Sequence, residues 1–263
     1  MKFIRNVYII FIITILLSPI FVVISVGFNQ KKSLRFPPEG FTLDWYTNLW
    51  FDEAWRISIF NSLSIAFSAS ILATFVALPL AYSIWRFKIK FSNLIYIIGL
   101  SPFILPPVVS AIGFLSFWAT LDLYGSRLTI ILSHSVFLTT LPLLTITLGL
   151  RSINLEIIDA AESLGATEYK LFRSIIIPLI TPYIFSGLCF AFVLSLNEYI
   201  ITFMLVGFTV ETVPVKIFNS LRYGYTPTMA AASAAFVLSA GIIFSIIAWR
   251  GNLLKLLGVI NER

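Results

Sequence analysis

Glu198 is the only acidic side chain inside any of the long apolar stretches of this 263-residue chain. A charge at the centre of a bilayer costs roughly 2.5–3.5 kcal/mol on insertion scales, so such a carboxylate faces a polar interior or a partner and marks a functional position by default. Asn197 beside it supplies amide donors and an acceptor, and Tyr199 a ring and a hydroxyl. Facing a pathway, Asn197, Glu198 and Tyr199 would stabilise a passing ammonium group. Equally open is a structural role, with Glu198 hydrogen-bonded or paired to a partner subunit. His134, the one histidine, lies early in another apolar stretch. A lone imidazole makes no metal site, and it reads as a hydrogen-bonded structural group ahead of a proton relay.

No other constellation carries chemistry. HExxH, G-x-S-x-G and clustered intramembrane carboxylates do not occur, nor does the phosphate loop G-x-x-x-x-G-K-S/T. Neither an enzyme nor an ATP site is expected, and no cofactor or metal is. The single cysteine, Cys189, sits in an apolar run, which leaves no disulfide framework or thiolate site and suits a small buried hydrophobe.

The elements around these residues follow from composition. The chain is 59% hydrophobic and 11% charged, where a soluble domain has about 45–50% apolar and roughly 25% charged residues. Apolar stretches at residues 7–28, 57–85, 94–121, 128–150, 179–208 and 229–249 are each near the roughly 20 residues that cross a 30 Å hydrocarbon core as a helix. They are far longer than barrel strands, so the expected class is an all-α membrane protein of six spans, in one domain covering residues 1–263. The first stretch is too long for a signal-peptide core and lacks an A-x-A-like site, so it reads as an uncleaved span.

Basic residues set the orientation. Lys2 and Arg5, Arg86, Lys88 and Lys90, Arg151, Lys170 and Arg173, and Arg250, Lys255 and Arg263 make eleven of the eighteen Lys and Arg on one set of loops. With six spans, both termini and the 151–178 loop are expected to be cytoplasmic. The net charge of +6 therefore reflects membrane orientation rather than a nucleic-acid partner. The outer loop at 29–56, with Trp45, Tyr46, Trp50 and Trp55, suits either a helix at the outer interface or a packed loop. Pro102, Pro106 and Pro107 interrupt the third span and imply a kink, facing a pore or simply packed. Lys216 and Arg222 in the last outer loop read as solvated, or as contacts to an acidic partner surface.

Between spans four and five the sequence reads DAAESLGATEYKLFRSIIIP, from Asp159 to Pro178. Asn154 can cap a helix whose first turns carry Glu156 and Asp159, and Gly165 suits the left-handed position that ends it. Ile157, Ala160, Ala161 and Leu164 follow i, i+3, i+4, i+7 spacing and form one face with a small-residue centre. A partner's backbone could approach that face closely, or the loop could pack on its own bundle. Thr167 can cap a second helix, with Tyr169, Phe172 and Ile176 on one face, that Pro178 would end.

Asp159, Ala160, Ala161, Gly165, Ile175, Ile177 and Pro178 spell D-A-A-x(3)-G-x(9)-I-x-I-P. This resembles the loop signature of permease subunits of bacterial ATP-binding-cassette importers, usually written E-A-A-x(3)-G-x(9)-I-x-L-P. The resemblance implies a type I importer permease-like bundle in which residues 155–165 form a cytoplasmic coupling helix docked on a separate ATPase. Ile157, Asp159, Ala160, Ala161, Leu164, Gly165 and Pro178 would then be the coupling residues. FTLDWYTNLW, NSLSIAFSASILATFVALPLAY and SLNEYIITFMLVGFTVETVPVKIFNSLRYGYTPTMAAASA extend the likeness over most of the chain, to the second permease of spermidine/putrescine-type importers. Those relatives commonly show Asp-Asp-Phe where Asn197, Glu198 and Tyr199 stand, so one carboxylate is replaced by an amide.

The resemblance implies a transport subunit in a bacterial cytoplasmic (inner) membrane. It would work with two ATPase copies, a second and distinct permease, and an external solute-binding protein, for a polyamine or other amine-bearing cation. The alternative is an ion-coupled secondary transporter. Against it stand the single intramembrane acid, the lone histidine and the absence of internal repeats.

Overall fold

The computed structural model describes residues 2–87, 90–207, 209–224 and 226–251. Lys88, Lys255 and Arg263, which entered the orientation argument, lie outside them. Among the described residues the regular structure is helical throughout.

In chain order, α1 (Lys2–Val26) is apolar on all sides and largely exposed, as befits a helix surrounded by lipid or by another chain. After the short α2 (Asp44–Phe51) and the 35-residue α3 (Glu53–Phe87), α4 (Ser92–Ile104) and α5 (Pro107–Thr120) are bent by 102° at their junction. Only two of the three prolines cause that break. Leu105 precedes Pro106 and Pro106 precedes Pro107, and a residue before proline is driven out of the helical region. Both are extended, with ψ of 143° and 134°. Pro102 sits inside α4 without ending it. The kink expected in the third span is therefore a near right angle.

α6 (Arg127–Leu138) and α7 (Thr140–Arg151) continue one another as a single span, and α8 (Leu155–Ser163) and α9 (Glu168–Leu171) form the loop beyond it. A wide turn at Phe172–Ile176 leads into α10 (Ile177–Asn197), followed by α11 (Ile200–Val206), α12 (Val213–Tyr223) and α13 (Pro227–Gly251). Among the described residues four helices are long and apolar enough to cross a bilayer, or five if α4 and α5 make one span; the apolar stretch Pro227–Ile243 in α13 is shorter.

The chain packs as two compact units. One comprises residues 1–61 and 211–242. Its core joins Leu49 of α2 and Trp55 of α3 to Val213, Met229, Ala231 and Ala232, with Trp45 and Tyr46 packed alongside. The 29–56 loop thus carries a helix packed by one side, with Trp50 and Phe51 left exposed. Trp45 Nε1 donates to Asn29 O at 2.7 Å and Asn61 Nδ2 to Glu211 O at 2.9 Å. Lys216 lies 2.9 Å from Glu211 Oε2 and over the Trp55 ring, so it is paired rather than merely solvated.

Of the described residues, the other unit takes in 62–87, 90–207, 209–210 and 243–251. Ala66, Ala69, Ala73, Ala77 and Ala81 make a buried small-residue seam along α3, the composition that lets membrane helices approach closely. The crossing of α7 and α10 is closer still, since a Cβ on Gly187 would lie 2.6 Å from Pro142 Cα. Leu143, Ile146 and Leu150 of α7 and Ile180 of α10 are fully buried in a cluster with Ile158 of α8 and Leu171 of α9.

Candidate functional site

Two places gather the residues singled out from the sequence. The first is the segment between α7 and α10. Asn154 Oδ1 accepts from Glu156 N at 3.0 Å and opens α8, and Gly165, at φ +79°, follows its end. L-residues with a Cβ pay a steric cost there, which explains the glycine.

Spacing gave this helix one apolar face of Ile157, Ala160, Ala161 and Leu164. Ile158 is 2% exposed and Ala161 is half-buried beside it against the α7–α10 core, whereas Ile157, Ala160, Leu164 and Asp159 point outward. Leu164 is 89% exposed. The face expected from spacing is therefore split, with Ala161 turned toward its own bundle and Ile157, Ala160 and Leu164 available to another chain.

Thr167 Oγ1 accepts from Lys170 N at 3.4 Å and caps α9 as expected. Pro178 does not end the helix that follows. Glu168–Asn197 runs as one continuous span because Phe172–Ile176 adopts the wider turn, in which Ile177 N reaches back five residues to Phe172 O. Displacing the hydrogen-bond register just ahead of a proline lets the helix continue past the missing donor.

This segment is tied to α3. The Arg86 guanidinium pairs with both Glu162 of α8 and Glu168 of α9, its Nε lying 3.1 Å from Glu168 Oε1. Tyr82 OH donates to Glu168 Oε2 at 3.1 Å, and the Tyr82 ring lies 4.6 Å from that of Phe172. These contacts join positions 76 to 90 residues apart, which no local pattern reveals.

The second place is the junction of α10 and α11. Asn197, Glu198 and Tyr199 interrupt the fifth apolar stretch, so Glu198 stands at a helix break and not at a helix centre. The break needs neither proline nor glycine. Glu198 is extended, with ψ of 122°, and its carboxylate caps the next helix, Oε1 accepting from Ile201 N at 2.8 Å and Oε2 from Thr202 N at 3.0 Å. Asn197 Nδ2 donates to Val193 O at 2.8 Å. Backbone groups freed inside a membrane have to be satisfied internally, and these side chains do so.

His134 of α6 completes the arrangement. Its Nδ1 lies 2.8 Å from Ser195 Oγ, and its Nε2 lies 3.1 Å from Thr202 Oγ1 and 3.2 Å from Glu198 Oε2. A carboxylate only accepts, so Nε2 carries a proton and Nδ1 accepts from Ser195 in the neutral ring. The imidazole thereby spans both sides of the break.

Asn197, Glu198 and Tyr199 line a cavity of about 440 Å³ with Phe103, Pro107, Phe137 and Ile200. The α4–α5 break and the α10–α11 break open onto this same space. The Phe103 and Phe137 rings stand 5.8 Å apart and Tyr199 stacks on Phe203. Sequence reading named Pro107 as part of a kink facing a pore or simply packed, and missed Phe103 and Phe137, because nothing local distinguishes them from packing residues. Aromatic faces beside a carboxylate suit an organic cation.

A family model described as "binding-protein-dependent transport system inner membrane component" matches residues 69–249. The chain is 28% identical over 248 residues to the spermidine/putrescine transport system permease protein PotC of Haemophilus influenzae, covering 92% of this chain and 94% of the relative. It is 30% identical over 243 residues to the putrescine transport system permease protein PotI of Escherichia coli K12, covering 90% and 86%. In fold it is similar to a chain of a bacterial ABC transporter involved in the import of the acidic polysaccharide alginate, at a TM-score of 0.69 and 16% identity over 95% of both chains.

Proposed function

This chain belongs to the family of binding-protein-dependent transport system inner membrane components, and on that premise we propose that it forms half of the import pathway for a small amine-bearing cation of the polyamine class. It is a multi-pass transport subunit of an ABC importer and not an enzyme. The partners we assign are two copies of an ATPase, a second and distinct permease, and an external solute-binding protein. The chain works as one permease domain of six spans with both termini cytoplasmic. The Arg86 contacts support that orientation, since they put residues 86 and 162–168 on one side.

α8 is the coupling helix. The observation that carries this is the division of its surface: Ile158 and Ala161 anchor it to the bundle while Ile157, Ala160 and Leu164 remain open. An apolar and small-residue patch of that kind fits a groove on an ATPase. Closure of the ATPase pair would move α8, and rigid-body rocking of the bundle would follow.

The cavity at Asn197, Glu198 and Tyr199 is the point at which the cation passes. Phe103, Phe137 and Tyr199 would offer ring faces to the amine and its methylene chain. Because Glu198 is held by four donors, Ile201 N, Thr202 N, Thr202 Oγ1 and His134 Nε2, it would act through its field, giving transient rather than tight binding. A conducting site requires that weakness, since the solute has to leave again.

The test is uptake of labelled putrescine into proteoliposomes holding the complete assembly. ATP-dependent uptake that neutral sugars do not inhibit is expected. Uptake of a neutral or anionic solute in place of any amine would overturn the substrate assignment.

A further inference from the structure

From the contacts at the inner end of α3 we infer that Arg86 is a mechanical strut, a positioning residue that carries movement of α8 directly into α3. This inference rests on the reading of α8 as the coupling helix.

Toward α10, movement of α8 along the chain passes two compliant points. Gly165 has φ +79° with nothing within 4 Å of where a Cβ would stand, so the turn is held by the Gly165 N–Glu162 O and Ala166 N–Ala161 O hydrogen bonds and not by side-chain packing at the glycine. The wide turn at Phe172–Ile176 follows, and such turns are held less tightly than regular helix. That covalent route is therefore the softer one.

Arg86 bypasses both points. Its planar guanidinium binds Glu162 on one side of the glycine and Glu168 on the other, while Tyr82, one turn earlier on α3, holds the second Glu168 oxygen and packs on Phe172. A forked cation can bridge two carboxylates in fixed geometry, which the compact ammonium of lysine cannot. α3 is 35 residues long and continues as one helix through Pro79, and its alanine seam lies within the bundle, so a displacement at Arg86 enters a single long helix.

The exposure of the two carboxylates limits what the cluster adds to stability. Arg86 is 22% exposed, Glu162 43% and Glu168 53%. Exposed ion pairs contribute little to stability. What the cluster does supply is a fixed distance between α8, α9 and α3.

The experiment measures solute imported per ATP hydrolysed by the complete assembly in proteoliposomes, for Arg86→Gln, Arg86→Lys and the exchange Arg86→Glu with Glu168→Arg. A disulfide between cysteine at Ala160 and the ATPase, in a Cys189→Ser background, monitors docking. With docking kept, the ratio should fall by about three- to thirtyfold in Arg86→Gln, the range that residues on a coupling route give. It should fall less in Arg86→Lys and recover in the exchange. An unchanged ratio in both single variants would overturn the strut. Loss of the disulfide in Arg86→Gln would overturn it too, by making Arg86 part of the docking surface. No disulfide in the unaltered chain would remove the coupling reading beneath it. Should Arg86→Gln fail to assemble, Arg86→Lys alone decides, and a normal ratio there contradicts the proposal.

Discussion

His134 Nε2 sits 3.2 Å from Glu198 Oε2 in a place where both side chains are nearly sealed from solvent, at 1% and 9% exposure. Two ionisable groups placed 64 residues apart in sequence thus share one hydrogen-bonded network with Ser195 and Thr202. Removing one member of such a network strands the other without its partner. His134→Ala should lower the stability of the purified permease by about 2–4 kcal/mol, read as a fall in its melting temperature in detergent. His134→Gln, which can still reach one partner, should lose less. Equal melting temperatures for all three proteins would show that the network carries no weight.

Glu198→Gln removes the negative charge and keeps an acceptor for only one of the Ile201 and Thr202 amides, which bond to different carboxylate oxygens. Uptake of a diamine should drop by about tenfold, equivalent to roughly 1.4 kcal/mol, and the melting temperature should fall as well, because one backbone amide loses its acceptor. If solutes of different charge were all carried as before, Glu198 would be a helix cap and nothing more.

The same two residues mark how far the sequence could be read. Apolar length placed the helices, and Asn154, Thr167 and Gly165 marked the ends of α8 and α9, because caps and left-handed glycines are local signals. The break at Glu198 was not legible, since its cause is a carboxylate folding onto its own backbone with a histidine from another helix behind it. Pro178 misled in the opposite sense. A proline ordinarily ends a helix, and only the widened turn before it, visible in the backbone, lets α10 continue. Ile158 escaped notice because a nine-residue helix offers overlapping faces, and the α7–α10 core, not the periodicity, chooses between them.

Gly187→Ala tests the closest helix crossing. The added methyl would stand 2.6 Å from Pro142 Cα, where neither backbone can yield without moving the helix. A loss of about 1–3 kcal/mol is expected, seen as reduced recovery of folded permease. Gly113→Ala, with nothing within 4 Å, should be recovered normally. Parity between the two would mean that α7 and α10 do not pack this closely.

Gly165→Ala forces a Cβ into a left-handed conformation at a cost of about 1–2 kcal/mol. The expected result is a lower ratio of solute imported to ATP hydrolysed, with Gly165→Asn milder because asparagine tolerates that region. Matching ratios for alanine, asparagine and glycine would show that the end of α8 does not need this geometry.

The division of the α8 surface gives the most direct measurement, with cysteines placed one at a time at Ala160 and at Ile158 in a Cys189→Ser background and oxidised with the ATPase co-expressed. Ala160→Cys should form a disulfide with an ATPase bearing a cysteine in its surface groove, and Ile158→Cys, facing the bundle, should not. Failure of Ala160→Cys to crosslink, together with solute uptake that persists after ATP is exhausted, would contradict a chain driven from outside through this helix.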